Sequence, residues 1–188
     1  MRLAVPYKSQ SDPDAARSRN DCGPTCLAML LNAYGLAAST DEVFACTGAP
    51  AEGFVSMAQL IRAARQYAAP LEFHQGCGLG DLRRWLDGGR PFIALVHYGA
   101  FSELAPGRST QSEFTGPHFV LVVGYDAEGV TVHDPLWRGE RRGEGADHPW
   151  PNAVWLQAWT RCHEDGNPDG AALVPERKLK APAAGRGS

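Results

Sequence analysis

The strongest constraint on the fold is a change in the spacing of apolar residues midway along the chain. In the first half, Leu27, Leu30 and Leu31 recur at helical spacing. In the second half, Pro91–Tyr98 and His118–Tyr125 are continuous apolar runs of strand length, rich in β-branched residues. Helices followed by antiparallel strands are typical of an α+β fold with two layers or lobes.

Capping signals locate the predicted helices. The first begins near Pro24 and ends at Gly35, because proline suits the first helical turn and glycine suits the C-terminal cap. Ser39 and Ser56 each precede a Glu or Gln by three residues, which is the spacing of a capping box. We expect a fourth helix over Gly80–Asp87, just before two consecutive glycines.

A hairpin is predicted after the second apolar run. Asp126–Gly129 has the composition of a turn, and Val130–Asp134 has that of the returning strand, which would end at Pro135. The sequence therefore predicts that His118–Tyr125 and Val130–Asp134 pair as antiparallel neighbours.

Length and charge limit the classes of partner. A chain of 188 residues suits one domain with a sizeable core. The formal net charge is −3, so no large basic excess can displace counterions from phosphate, and we expect no nucleic-acid partner. The longest apolar runs, such as Phe119–Val123, are far shorter than the ~20 residues of a membrane helix, so we expect no membrane partner. The sequence leaves the oligomeric state open, and we expect a monomer.

The cysteines favour free thiols over a disulfide framework. Five is an odd number, and the chain is too long to need disulfide stapling, so at least one thiol is free or pairs between molecules. The cysteines and histidines show no zinc-ligand spacing, and we expect neither a metal nor another cofactor. Met1–Val5 runs into Pro6 before the apolar region of a secretory signal can form, which predicts a cytoplasmic location.

Three segments are predicted to be irregular. Gly99–Pro117 is a long polar stretch between two strands, and loops of that length are often functional. The arginines at positions 138, 141 and 142 are expected in a solvated loop. Residues 176–188 form a basic tail that we expect to be mobile, which leaves residues 1–175 as the folded domain.

Cys22 lies where a thiol can become a nucleophile. It precedes the first predicted helix, whose unpaired N–H groups and positive dipole end would stabilise a thiolate. The alternative is a small buried apolar residue, which is the usual environment of a cysteine. Cys26 is expected in the core one turn further on, and Cys77, between two glycines, is the most exposed of the remaining thiols.

Two histidines compete as the base that a thiolate enzyme needs. His118 lies where a loop enters a strand, and His133 directly precedes Asp134 on the returning strand. His97 is expected to be a core or edge residue, and the other histidines are expected to be solvated. These others are His74, His148 and His163.

Asp134 is the candidate that would orient the base. Because side chains alternate along a strand, Asp134 cannot easily orient its neighbour His133, but it could orient His118 on the adjacent strand. A turn with Gly129 in the left-handed conformation would place Asp134 on the face of His118, but opposite Val122 and ~13 Å away along the strand. A tight two-residue turn would place it on the other face. Register alone leaves the pairing open.

Taken together, these segments resemble the bacteriocin-processing, papain-like cysteine peptidases, in their stand-alone branch. The resemblance covers roughly residues 5–175 and rests on motifs in a fixed order. These are Val5–Gln10 (VPYKSQ), Asn20–Leu30 (NDCGPTCLAML), Asp81–Arg90 (DLRRWLDGGR), Gly116–Val120 (GPHFV), Val123–Asp126 (VGYD), Val132–Pro135 (VHDP) and the late segment from Trp155 to Val174.

The resemblance implies a papain-like fold and four site residues. An N-terminal helical lobe would carry the nucleophile, a C-terminal antiparallel sheet lobe would carry the base, and the active site would lie in the cleft between them. Cys22 corresponds to the nucleophile, His118 to the general base and Asp134 to the residue that orients it. Gln10 corresponds to the side-chain donor of the oxyanion hole.

The implied activity is hydrolysis of a peptide or isopeptide bond through a thioester, with a peptide or protein as substrate. The best-known members precede membrane transporters and cut leader peptides after two glycines, but this chain has no transporter segment. Another acyl transfer, such as an amidase, transglutaminase-like or peptidoglycan-stem reaction, would use the same residues. A non-catalytic peptide-binding module is a further alternative.

Overall fold

The computed structural model describes residues 1–16, 20–104 and 114–179. In this part of the chain the α-helices are α1 (Cys22–Ala33), α2 (Thr40–Thr47), α3 (Met57–Gln66), α4 (Leu79–Asp87), α5 (Tyr98–Leu104) and α6 (Asn152–Thr160). The strands are β1 (Leu71–His74), β2 (Phe92–His97), β3 (Pro117–Tyr125), β4 (Gly129–His133), β5 (His148–Pro151) and β6 (Ala172–Pro175). Short 3₁₀ helices cover Gly139–Gly145 and Cys162–Asp165.

The strands form one antiparallel sheet with the order β1-β6-β2-β3-β4-β5. Every residue of β2 is buried, because helices cover both faces of the sheet. One face, including Ile93 and Leu95, packs against α1 and α3. The other face, including Ala94 and Val96, packs against α4, α5 and α6. The predicted α+β class, with N-terminal helices and an antiparallel sheet, is confirmed.

The local signals for helix ends are also confirmed. Ser39 accepts a hydrogen bond from the Glu42 amide at 3.1 Å, and Ser56 does the same for Gln59 at 3.3 Å. Both caps are complete capping boxes. The segment after α1 turns at Gly35, whose φ of 75° is the left-handed conformation that glycine adopts at low cost.

Two segments expected to be irregular contain ordered structure at one end. Helix α5 occupies the start of the predicted loop, while residues 105–113 lie outside the described residues. Beyond residue 175, the Tyr34 hydroxyl donates to the Arg177 carbonyl at 2.7 Å, and the Leu179 amide donates to the Gly89 carbonyl at 2.8 Å. Contacts with the domain therefore continue to Leu179, and residues 180–188 lie outside the described part.

All five cysteines are free thiols. Among the described helices, none combines the length and the apolar character needed to cross a bilayer. The His, Cys, Asp and Glu side chains of the same residues form no group of three or more that could hold a metal ion.

The N-terminal segment is fastened to the sheet through a buried histidine. The Leu3 amide donates to the Val123 carbonyl at 2.8 Å. His133 donates from Nε2 to the Val5 carbonyl at 2.9 Å and accepts the Asp147 amide proton at Nδ1, at 3.0 Å. This pattern needs a neutral ring. Burial lowers the pKa of His133, which keeps it neutral.

This anchor predicts acid-sensitive stability. The pKa of His133 is lower in the folded chain than its ordinary value of 6.5, so the unfolded chain binds more protons below that pH. The contribution of His133 to the free energy of unfolding is therefore fully present above about pH 6.5, and it is lost progressively as the pH drops below that value. Urea titrations between pH 5 and pH 8 should show this loss. A His133→Gln variant, which retains a donor and an acceptor, should lose less stability over the same range; equal losses would contradict the assignment.

Candidate active site

Cys22 is the first residue of α1, as the sequence predicts, and its side chain is only 9% exposed. Amide groups in the first turn of a helix lack carbonyl partners within the helix, and the positive end of the dipole lies there. The first turn of α1 contains no acidic residue, and Asp21 occupies the N-cap. Cys22 therefore lies at the positive end of the α1 dipole.

Gly23 allows α1 to begin this close to the sheet. A Cβ atom at this position would lie 3.1 Å from Leu60 of α3 and 3.1 Å from Phe119 of β3. Real Cβ atoms rarely approach other atoms that closely, so the Leu60 and Phe119 side chains would have to shift by a few tenths of an ångström to admit a larger residue. Glycine after the cysteine thus keeps Cys22 beside the strand that carries His118.

The structure brings Cys22, His118 and Asp134 together in one connected row. His118 Nε2 donates to Asp134 Oδ1 at 2.8 Å, and neither side chain is more than slightly exposed. The Cys22 side chain acts on the same imidazole and contributes to raising its pKa. Because Nε2 is hydrogen-bonded to Asp134, Nδ1 is the ring nitrogen that is available to the Cys22 sulfur.

A bulge in the ladder makes the His118–Asp134 contact possible. Tyr125 pairs with Val130, but the register shifts between Val122 and Gly124, so that Leu121 pairs with His133. Asp134, the next residue, then lies level with Val120 and on its face of the sheet. Val120 is two residues from His118, or about 7 Å along a strand, and the two side chains span that distance.

The bulge also corrects the turn that the sequence suggested. Of the two turns that the sequence left open, the one with Gly129 in the left-handed conformation does not form, because Gly129 is not among the residues with positive φ. The extra residue lies inside β3, at Val123, and without it Asp134 would lie level with Leu121 on the opposite face. Gly129 is instead required by close packing, since a Cβ there would overlap the Trp150 carbonyl.

Asp134 is surrounded by hydrogen-bond donors. In addition to His118, Oδ1 accepts the Leu136 amide at 3.0 Å, and Oδ2 accepts the Tyr98 hydroxyl at 3.1 Å. The Tyr7 hydroxyl donates to the Asp134 carbonyl at 3.0 Å. A fully buried carboxylate is tolerated only with such partners, so the local structure favours the ionised form.

The two buried charges stabilise each other. Burial alone would lower the pKa of His118, but the Asp134 carboxylate and the Cys22 side chain outweigh it and raise the pKa to about 10. Burial alone would raise the pKa of Asp134, but the imidazolium and the Leu136 amide hold it below its ordinary value. At neutral pH the site therefore contains an imidazolium and a carboxylate.

Gln10 is buried in the turn that packs against the residue after Asp134. Its backbone N–H donates to the Pro135 carbonyl at 2.9 Å, and the Ser9 hydroxyl donates to the Trp137 carbonyl at 2.6 Å. The chain around Gln10 and the chain around Asp134 are thus joined directly, which places the predicted oxyanion residue on the side of the fold that holds Asp134.

The arginine cluster differs from the solvated loop that we expected. It belongs to the 3₁₀ segment Gly139–Gly145 and its entry, where Arg142 forms two hydrogen bonds with Asp12 and stacks over Tyr7 at 5.3 Å. Arg141 pairs with Glu144 in the same segment. Arg142 therefore secures the turn that contains Gln10.

The remaining histidines and cysteines make other contacts. His97 is buried as expected, with Nδ1 2.7 Å from Asp165, whereas His148, expected in solvent, is buried in β5. Cys26 is buried as predicted and bonds the Phe119 carbonyl. The expectation that Cys77 is exposed is wrong, because it packs beneath α4, and burial raises its pKa.

Cys22 lines a cleft of about 740 Å³ whose walls are mainly apolar. The chain before and at the start of α3 supplies one wall, the sheet supplies the floor, and residues 165–168 supply another wall. Phe54 is 62% exposed and Phe73 is 44% exposed, and both line this cleft. Large apolar side chains exposed in a concave surface are typical of a binding site.

Comparison with protein families decides the relationship. The family model described as the Peptidase_C39 like family matches residues 2–162, which include all four predicted site residues. The chain belongs to the Peptidase_C39 like family. A comparison with curated proteins gave no match.

Solved structures of C39-type peptidases have the same fold at low sequence identity. A putative C39-like peptidase from Bacillus anthracis is 19% identical with a TM-score of 0.64, covering 96% of this chain and 100% of that one. A double glycine motif protease from an AMS/PCAT transporter, solved with its leader peptide, is 19% identical with a TM-score of 0.60, covering 93% of each chain. The peptidase domain of Streptococcus ComA, a bi-functional ABC transporter, is 16% identical with a TM-score of 0.61, covering 91% of this chain and 98% of that one.

The sequence missed two parts of the C39-like site. Tyr98 was included only as the end of a strand, although it contacts Asp134. Phe54 and Phe73 gave no distinguishing signal, since each has an apolar residue nearby, Val55 and Leu71 respectively, and could belong to the core. Residues 165–168 complete the cleft but lie beyond the segment that the family model matches.

The charge pair predicts a large effect of Asp134→Asn on His118. With the carboxylate removed, burial is opposed only by Cys22, and the pKa of His118 should fall from about 10 by ~1–3 pH units. NMR titration of the imidazole signals would measure the change, with His133 as the internal control because its partners are retained. A His118 pKa that stays within about 0.5 units of the wild-type value would contradict the charge pair.

Proposed function

We propose that this chain is a cysteine peptidase in which Cys22 attacks the carbonyl carbon of a peptide bond. The observation that carries the proposal is the connected row Cys22–His118–Asp134, with the sulfur at a helix start and the histidine–carboxylate pair buried behind it. Family membership supports the same activity. Structures of similar fold include peptidase domains, although identity below 20% relates them by fold alone.

The geometry supports a two-step proton path. The imidazolium at His118 pairs with the Cys22 thiolate, which adds to the carbonyl carbon, and His118 then protonates the departing amine through Nδ1. The resulting thioester is hydrolysed when neutral His118 removes a proton from water, which restores the thiolate and the imidazolium. Asp134, bonded to Nε2, orients the ring and stabilises its positive charge throughout.

The oxyanion formed in both steps needs hydrogen-bond donors. The Cys22 amide at the start of α1 is one candidate, and the Gln10 side chain is the other. Support for Gln10 comes from its buried position and from the hydrogen bond of its backbone N–H to the Pro135 carbonyl, which holds this turn beside Asp134. Loss of one such donor reduces kcat by about 10²–10³-fold in comparable sites.

The cleft favours a peptide or protein substrate with apolar side chains near the scissile bond. Phe54, Phe73 and Met57 offer such side chains a surface that is otherwise exposed to water. One similar structure contains a leader peptide, which is a precedent for a peptide in this fold. For the present chain we propose a peptide ligand without assigning a double-glycine sequence.

Selective alkylation tests the activated thiolate. We expect iodoacetamide at pH 6–7 to modify Cys22 before Cys46, although Cys46 is the more exposed thiol. The rates can be measured by peptide mass spectrometry, with a His118→Ala variant as the control that removes the imidazolium. Faster modification of Cys46 than of Cys22 in the wild-type chain would contradict the proposal.

Cleavage of peptide pools tests the reaction itself. The wild-type chain should release products with a new carboxylate whose oxygen comes from water, whereas Cys22→Ala should be inactive and Cys46→Ala should be unchanged. Labelling with ¹⁸O water and added primary amines distinguishes hydrolysis from acyl transfer. Amine incorporation without hydrolysis would show that the chain is an acyltransferase and not a peptidase. Cleavage by the Cys22→Ala variant would exclude Cys22 as the nucleophile.

A further inference from the structure

Tyr98 is fixed at the point where β2 meets α5. Its side chain is fully buried, and its amide donates to the Gly116 carbonyl at 3.1 Å. Gly116 precedes Pro117, the first residue of β3, and His118 follows. The backbone of Tyr98 is therefore attached to the chain immediately before the candidate base.

The side chain of Tyr98 contacts both members of the buried charge pair. Its hydroxyl donates to Asp134 Oδ2 at 3.1 Å. Its ring lies at 80° to the imidazole of His118, with 5.1 Å between the ring centroids. One rigid side chain, held by its own backbone, thus limits the movement of the carboxylate and of the imidazole.

The hydroxyl has a distinct electrostatic role. Asp134 Oδ1 accepts hydrogen bonds from His118 and from the Leu136 amide, whereas Oδ2 accepts one from the Tyr98 hydroxyl. A hydrogen bond to a carboxylate favours its ionised form, and this effect is largest where water is absent. Without the Tyr98 donor, Asp134 would hold a proton more tightly and would be held only by the two hydrogen bonds at Oδ1.

We propose that Tyr98 is a positioning residue of this site, which acts through Asp134 to keep His118 charged and aligned toward Cys22. This proposal rests on the proposed thiolate–imidazolium function of the same site. Tyr98 itself does not take part in bond making, because its hydroxyl is directed to the carboxylate on the far side of the imidazole from Cys22.

Other ionisable groups also act on Asp134, and the test must separate them from Tyr98. They come from several elements around the carboxylate: His118 of β3, His148 of β5, Cys26 of α1 and Tyr7 of the N-terminal segment. Tyr7 is the best control for Tyr98. It is a partly buried tyrosine whose hydroxyl also bonds Asp134, but at the backbone carbonyl.

The experiment measures the rate of Cys22 alkylation by iodoacetamide from pH 4 to pH 9 in the full chain. In Tyr98→Phe, which retains the ring, we expect the acid-side midpoint to move up by about one pH unit, as for loss of one hydrogen bond to a buried charge. At pH 5–6 the rate should fall several-fold. In Tyr7→Phe the midpoint should stay at the wild-type value, although thermal unfolding should show that this variant also loses stability.

A second variant removes the group through which Tyr98 acts. In an Asp134→Asn background, adding Tyr98→Phe should leave the alkylation profile unchanged, because no carboxylate remains to be held in its ionised form. An unshifted midpoint in Tyr98→Phe, an equal shift in Tyr7→Phe, or an additive effect in the Asp134→Asn background would each overturn the proposal. Alkylation of Cys22 requires no substrate. If the chain failed to hydrolyse peptides, the proposed function would be contradicted, but the alkylation profiles would still test the role of Tyr98.

Discussion

Two opposite charges, on His118 and Asp134, lie 2.8 Å apart where solvent hardly reaches either side chain. Removing two charges from water costs several kcal/mol per ion, so such a pair persists only when its geometry and hydrogen bonds are good. Here the Leu136 amide and the Tyr98 hydroxyl donate further hydrogen bonds to the carboxylate. Cys22 stabilises the charged imidazole from its other side. The pair forms only because three parts of the fold are in place. These are the register of β3 and β4, the start of α1 and the junction of β2 with α5.

The helical part of the site could be predicted because its signals are local. Pro24 and Gly35 mark the ends of α1, and a cysteine before Pro24 must then lie at the helix start. Gly23 has a reason that the sequence could not supply, since the approach of Leu60 and Phe119 depends on tertiary packing.

The sheet part of the site could be predicted only in outline. His118 was located by its place at a strand entry and by the family motifs, and the correct face for Asp134 depended on a bulge. That bulge lies at Val123 within a run of buried apolar residues, where one more valine carries no distinguishing signal. The contact of Tyr98 was hidden for a similar reason, because α5 begins in a stretch whose polar composition indicated a loop.

An apolar cleft lies beside Cys22. Its apolar walls come from three separate parts of the chain, including residues 165–168 beyond the family match, and Phe54 and Phe73 remain exposed without a ligand. Exposed apolar area of this kind is removed from water only by a bound partner. The row Cys22–His118–Asp134 and the apolar cleft therefore share Cys22.

The most direct test of the central claim is to observe the covalent intermediate. Acid-quenched mixtures of the chain and a peptide pool, measured by intact and peptide mass spectrometry, should contain an acyl group on Cys22. Neutral hydroxylamine should release it, as expected of a thioester, and Asp134→Asn should slow its formation. Peptide cleavage at the wild-type rate with no acyl adduct on Cys22, or with the adduct on another residue, would contradict the account.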